Sequence, residues 1–154
     1  MNGFTITPEP LESAEVLNLL QMHLKEMHSA SPPDKVHAMP AERLREDDVT
    51  FYAVRKDNRL AAVGALKALA GGLGELKSMR ATPEFRGQGA GRVLLHHLID
   101  EARNRGYTWI GLETGATHEF ADARRLYEQN GFRVCDAFNG YVSDDFSLCM
   151  ELKL

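Results

Sequence analysis

The stretch from Glu84 to Leu98, EFRGQGAGRVLLHHL, sets three glycines among the five residues 87–91, directly before a strongly amphipathic run. A glycine inside a helix costs about 0.5–1 kcal/mol relative to alanine, so the cluster marks a place where the backbone needs unusual freedom. The helix that follows supplies a reason. Its first turn carries unpaired N–H groups and a partial positive charge, and glycines without Cβ atoms let an anion reach them. Arg86 and Arg92 bracket the glycines. From Lys77 to Arg92 the cations Lys77, Arg80, Arg86 and Arg92 face only Glu84, within a chain whose net charge is −4.

Two common phosphate loops do not fit this stretch. A Walker-type loop needs Gly-Lys followed by Ser or Thr, which is absent. The dinucleotide fingerprint G-x-G-x-x-G, counted from Gly87, places its third glycine at Arg92.

The 154 residues are expected to form a single domain spanning residues 1–154. The acidic balance argues against a general nucleic-acid binder. No apolar run approaches the ~18–20 residues of a membrane span, and the start MNGFTITPEP lacks the basic and apolar parts of a secretory signal. A cytoplasmic protein without membrane or nucleic-acid partners is the expectation. Cys135 and Cys149 read as two buried reduced thiols. They lack zinc-ligand spacing, and no metal is expected.

Along the chain, FTIT (4–7) reads as a strand. Val16, Leu20, Leu24 and Met27 recur at helical spacing over 11–27. Three prolines then interrupt HSASPPDKVHAMP, and AERLRE (41–46) reads as a short helix. Two β-rich runs flank Asp57-Asn58 as a hairpin, Gly71, Gly72 and Gly74 form a second turn, and ELKSMRA (75–81) is another strand. After the glycine loop come a helix over 89–104, a buried strand WIGLET (109–114), a helix in EFADARRLYEQN, and strands in FRVCD and DFSLCMELKL. This order specifies an α/β (α+β) chain with a mixed sheet and two late crossover helices.

Arg86-Gly87-Gln88-Gly89-Ala90-Gly91 resembles the R/Q-x-x-G-x-G/A motif of the GNAT family of N-acetyltransferases, and ARRLYEQNGF resembles the family's A-x-x-L-Y-x-x-x-G-F signature. The resemblance extends from about Phe51 to Leu152 and is weakest over residues 8–48. It implies a GNAT fold: a central mixed, largely antiparallel sheet of about seven strands, splayed at the middle and flanked by about four helices. It also implies acetyl-CoA as co-substrate, its pyrophosphate held by Arg86, Gly87, Gln88, Gly89, Ala90, Gly91 and Arg92. The pantetheine arm would run beside Met79, Arg80 and Ala81, with a backbone N–H near Met79 facing the thioester oxygen.

By the same resemblance Tyr127 protonates the leaving thiolate. An ordinary phenol titrates near ~10, so it carries a proton to give at neutral pH. Glu75 and Glu113, at the start and end of adjacent strands, are alternative bases for the acceptor amine, Glu75 being favoured slightly. Met27, His28 and His37, with His23, Met39 and the Ser29-Ala30-Ser31 run, belong to the expected wall of the acceptor pocket. His96 and His97 are adjacent on a helix and cannot serve one ligand together. The leading acceptor is a primary amine of a small, amino-acid-like molecule. Peptide or lysine acetylation, or a non-catalytic acyl-CoA-binding regulator, are the alternatives. Thr117, His118 and Glu119 stand where ribosomal-protein acetyltransferases commonly carry an asparagine. Oligomeric state, a homodimer included, is left open.

Overall fold

Local chemistry fixes the turns that order the sheet. Asp57 and Asn58 both adopt positive φ (53° and 62°), the conformation a two-residue hairpin loop demands and Asp and Asn tolerate. They join β2 (Val49–Lys56) to β3 (Arg59–Leu69). Gly71 and Gly72, also at positive φ, turn β3 into β4 (Leu73–Ala81). The computed structural model describes residues 3–11, 13–30 and 48–154, the side chains of 27–30 excepted.

The remaining elements are β1 (Thr5–Pro8), α1 (Ala14–Ala30), α2 (Ala90–Asn104), β5 (Trp109–Gly115), α3 (Ala121–Gln129), β6 (Arg133–Cys135) and β7 (Ser147–Lys153). The strands form one seven-stranded sheet in the order β1-β2-β3-β4-β5-β7-β6. Among the described residues β4 and β5 are its parallel pair, and they share only Leu73↔Trp109, Gly74↔Ile110 and Glu75↔Gly111. Beyond Glu75 they separate, although β4 runs on to Ala81 and β5 to Gly115. The expected splay is present. Three α-helices flank the sheet among the described residues; the short helix expected over 41–46 lies outside them.

Alternation along β2 and β3 divides the core between the two faces. Tyr52, Val54, Ala62 and Leu66 pack with Leu94, Leu95 and Leu98 of α2, whereas Phe51, Ala53, Val63 and Ala65 pack with Val16, Leu19 and Leu20 of α1. Each fully buried leucine contributes about 1.5–3 kcal/mol, so the helix stripes hold the two layers in place. Gly106, at φ 80°, follows the end of α2, where a left-handed residue stops a helix.

One expectation needs correction. Cys149 is buried, but Cys135 is only half-buried, because β6 is the edge strand and leaves one side of its residues uncovered. The two free thiols occupy directly opposed positions on β6 and β7.

Candidate active site

The splay creates a cavity of about 790 Å³. Met79, Arg80 and Ala81 of β4 line one wall, residues 86–89 with Gly91 and Arg92 form one end, and Leu126 and Tyr127 of α3 close another side. Ten of the eleven residues expected at the cofactor are thus brought together. Ala90 is the exception: its side chain is buried in the core with Leu94 and Leu95, so only its backbone is available to a ligand.

Two of the three loop glycines are required by φ. Gly87 and Gly89 lie at 76° and 91°, where a Cβ is strained, and Gly89 caps α2. Gly91 also lines the cavity but is not required by φ. It is helical, and a Cβ there would sit in ordinary contact with Leu126 Cδ2 at 3.4 Å, so neither its backbone nor its packing demands a glycine. Arg92 donates to Gln129 Oε1 at 3.1 Å and ties α2 to α3.

The wall opposite the loop is shaped by a β-bulge. Ala65 pairs with Lys77 but Val63 with Arg80, so Gly64 faces an extra residue on β4. Ser78 absorbs the irregularity at φ 58°, and its buried Oγ has no hydrogen-bond partner among the described residues. Gly64 is small because Met79 lies across it: a Cβ would come within 2.5 Å of Met79 Sδ. The bulge leaves Met79 on the α2 face and puts Arg80 opposite Val63 on the α1 face.

Tyr127 is buried, stacked at a tilt on Phe132 with centroids 5.7 Å apart, and reaches the cavity. Burial raises its phenol well above the usual range, so it remains protonated at neutral pH. Its helix is fixed by Arg124, which donates to the carbonyls of Gly115, the last residue of β5, and of Thr117 just after it, both at 2.8 Å.

Glu75 and Glu113 do not line this cavity; register places both on the α1 face. Glu75 is 1% exposed and accepts three hydrogen bonds, from Lys77 Nζ (3.0 Å), Tyr141 Oη (2.6 Å) and Asn139 Nδ2 (3.2 Å). Lys77 also donates to Tyr141 Oη at 2.7 Å. Burial and the neighbouring Glu75 carboxylate hold the Tyr141 phenol far above its ordinary value, which keeps it a donor. Glu113, half-buried, accepts from Ser147 Oγ at 2.5 Å. Asn139 and Tyr141 escaped sequence reasoning because they lie between β6 and β7 without periodicity.

Glu26 was also missed. It lines the cavity and pairs with Arg80 and, at 3.8 Å, with Arg86. One turn earlier, His23 has a buried Nδ1 without a hydrogen-bond partner among the described residues. Its pKa is lowered to about 4, first by burial and then by Arg80, against the opposing pull of Glu26. Met27 and His28 fall in the last turns of α1, but their side chains, and the whole of His37, lie outside the described residues. His96 and His97 serve separate surroundings, His96 meeting Asn130 Oδ1 at 2.6 Å and His97 the Tyr52 ring.

Residues 14–132 match the acetyltransferase (GNAT) family. The chain belongs to this family. The uncharacterized N-acetyltransferase YsnE of Bacillus subtilis is 40% identical over 146 residues, 95% of this chain and 97% of that one. The IAA acetyltransferase of Azospirillum brasilense is 33% identical over 156 residues, all of both chains. A crystal structure of a Klebsiella pneumoniae protein assigned as an acyl-CoA N-acyltransferase superposes with a TM-score of 0.79 at 29% identity, covering 100% of this chain and 99% of that one. This GNAT chain is therefore an acyltransferase, with a mixed sheet splayed between β4 and β5. Among its described residues, no helix is long and apolar enough to cross a membrane.

The cavity fits the CoA-type co-substrate that the family implies. Open space lies at Gly87 and Gly89, where a Cβ would meet nothing within 4 Å, and Arg86 and Arg92 stand beside it. Met79, Leu94, Ala123 and Leu126 supply an apolar path toward Tyr127. A charged diphosphate and a slender chain need that succession of surfaces.

Proposed function

We propose that this chain transfers an acetyl group from acetyl-CoA to the primary amine of a small acceptor. The observation that carries the reading is the cavity itself, continuous from the Gly87–Gly91 loop to the Tyr127 side chain and the α1 face. A relative named as an N-acetyltransferase and one named as an IAA acetyltransferase support acetyl transfer. When bound, acetyl-CoA supplies an activated thioester.

The chain's own residues then have distinct roles. Gly87, Gly89 and the first amides of α2 receive the diphosphate, with Arg86 and Arg92 adding charge. The β4 backbone at Met79 and Ala81 has no partner on β5, because the parallel pairing ends at Glu75. Its polar groups therefore suit an extended arm lying along the strand. Tyr127 holds the proton that a departing thiolate needs.

For the amine's proton the structure favours a different carboxylate from the one sequence reasoning preferred. Glu75 already accepts three hydrogen bonds and anchors Asn139 and Tyr141 to β4, so its oxygens have little remaining capacity. Glu113 is partly exposed, lies on the diverging part of β5 and shares the α1 face with Arg80 and Lys77. We assign it the role of proton acceptor, directly or through water.

The experiment is a thiol-release assay with acetyl-CoA against a panel of amines, amino acids and short peptides. Release that depends on a small amine supports the reading. Tight CoA binding without release from any panel member would make the chain a binding protein instead.

A further inference from the structure

The bulge at Ser78 places a buried guanidinium where the cavity meets the α1 face. Arg80 is 17% exposed, and its Nε is buried without a hydrogen-bond partner among the described residues. Nη2 donates to the Glu26 carboxylate. A guanidinium offers Nε–H and one Nη–H as parallel prongs spaced for the two oxygens of a carboxylate. One prong is occupied and the other is dry.

Glu26 is a partly exposed occupant. It is 46% exposed and also pairs with Arg86 at 3.8 Å, so it has a second cation and water at hand. His23 stays neutral beside Arg80 and adds no competing charge. The carboxylate of Glu26 thus shows which chemical group the guanidinium accepts, while its hold on that guanidinium is incomplete.

We propose that Arg80 is the specificity residue of the acceptor site. It binds the carboxylate of an amino-carboxylate acceptor, which displaces Glu26 and engages both Nε–H and Nη2–H. The proposal rests on the acetyl-transfer reading above and narrows its acceptor to amines that carry a carboxylate. The Arg80 backbone remains part of the strand beside the co-substrate; its side chain serves the opposite face.

The test compares matched pairs in the thiol-release assay on the unmodified chain: amino acids against their carboxamides and their decarboxylated amines. The carboxylate-bearing member is expected to have the higher kcat/KM by about tenfold or more, the scale of a charge-assisted pair. Arg80→Gln is expected to raise acceptor KM by about tenfold, Arg80→Lys to restore it only in part, and Glu26→Gln to lower it, while CoA affinity measured by calorimetry changes less than about threefold. Equal turnover of carboxamides or decarboxylated amines overturns the Arg80 assignment and leaves acetyl transfer standing. A large loss of CoA affinity in Arg80→Gln also overturns it, by making the guanidinium a phosphate contact. No release with any amine removes both readings.

Discussion

The Tyr141 hydroxyl donates to Glu75 Oε2 at 2.6 Å, joining the segment between β6 and β7 to a carboxylate 66 positions earlier on β4. Lys77 completes a triangle by donating to both. Tyr141→Phe removes a donor from a buried carboxylate and an acceptor from a nearly buried ammonium. The expected cost is about 1–3 kcal/mol of unfolding free energy, read by urea denaturation. An unchanged midpoint would mean that the triangle contributes nothing to stability.

Tyr127 lines the cavity, and its ring packs on Phe132. Tyr127→Phe keeps the ring and removes the proton donor. We expect kcat to fall about 100-fold, at the lower end of general-acid effects, with the CoA dissociation constant nearly unchanged. Steady-state kinetics paired with calorimetry separates the two quantities. Unchanged kcat would remove the proton-donor role.

Gly89 and Gly91 look alike in the motif but answer to different constraints. Gly89→Ala forces a Cβ into a left-handed conformation, costing about 1–2 kcal/mol and distorting the start of α2, so both melting temperature and CoA affinity should fall. Gly91→Ala adds a Cβ in ordinary contact with Leu126 and improves helix propensity, so both properties should be retained. Thermal melts and CoA titrations of the two variants check the contrast.

His23 links stability to acidity. In the folded chain it stays neutral until about pH 4, whereas its ordinary value is 6.5, so between these values the unfolded chain binds the extra proton. Its contribution is complete above about pH 6.5 and is lost as pH falls, by about 2 kcal/mol at pH 5. The chain should therefore be destabilised on acidification more steeply than a His23→Gln variant, as measured by urea denaturation at pH 7 and pH 5. Parallel pH dependence in the two proteins would contradict this.

The parts legible in the sequence were those built from neighbours. The Asp57-Asn58 turn, the loop before α2 and the apolar stripe of α2 are written in consecutive residues, and all three formed as expected. That Gly91 faces Leu126 was not legible, because Leu126 comes from another helix. Arg80 and Glu26 are 54 positions apart, and their meeting depends on a bulge at Ser78, a residue type that gives no turn signal by itself. The Glu75 network depends likewise on which strand face each residue takes, and the extra residue in β4 changes that assignment for everything after it.

The most direct test is a crystal structure of the chain with coenzyme A. The account predicts the diphosphate on the amides of Gly87 through Gly91 and the start of α2, the pantetheine arm along Met79 to Ala81, and the sulfur facing Tyr127. Coenzyme density elsewhere on the molecule, with this cavity empty at saturating ligand, would contradict it.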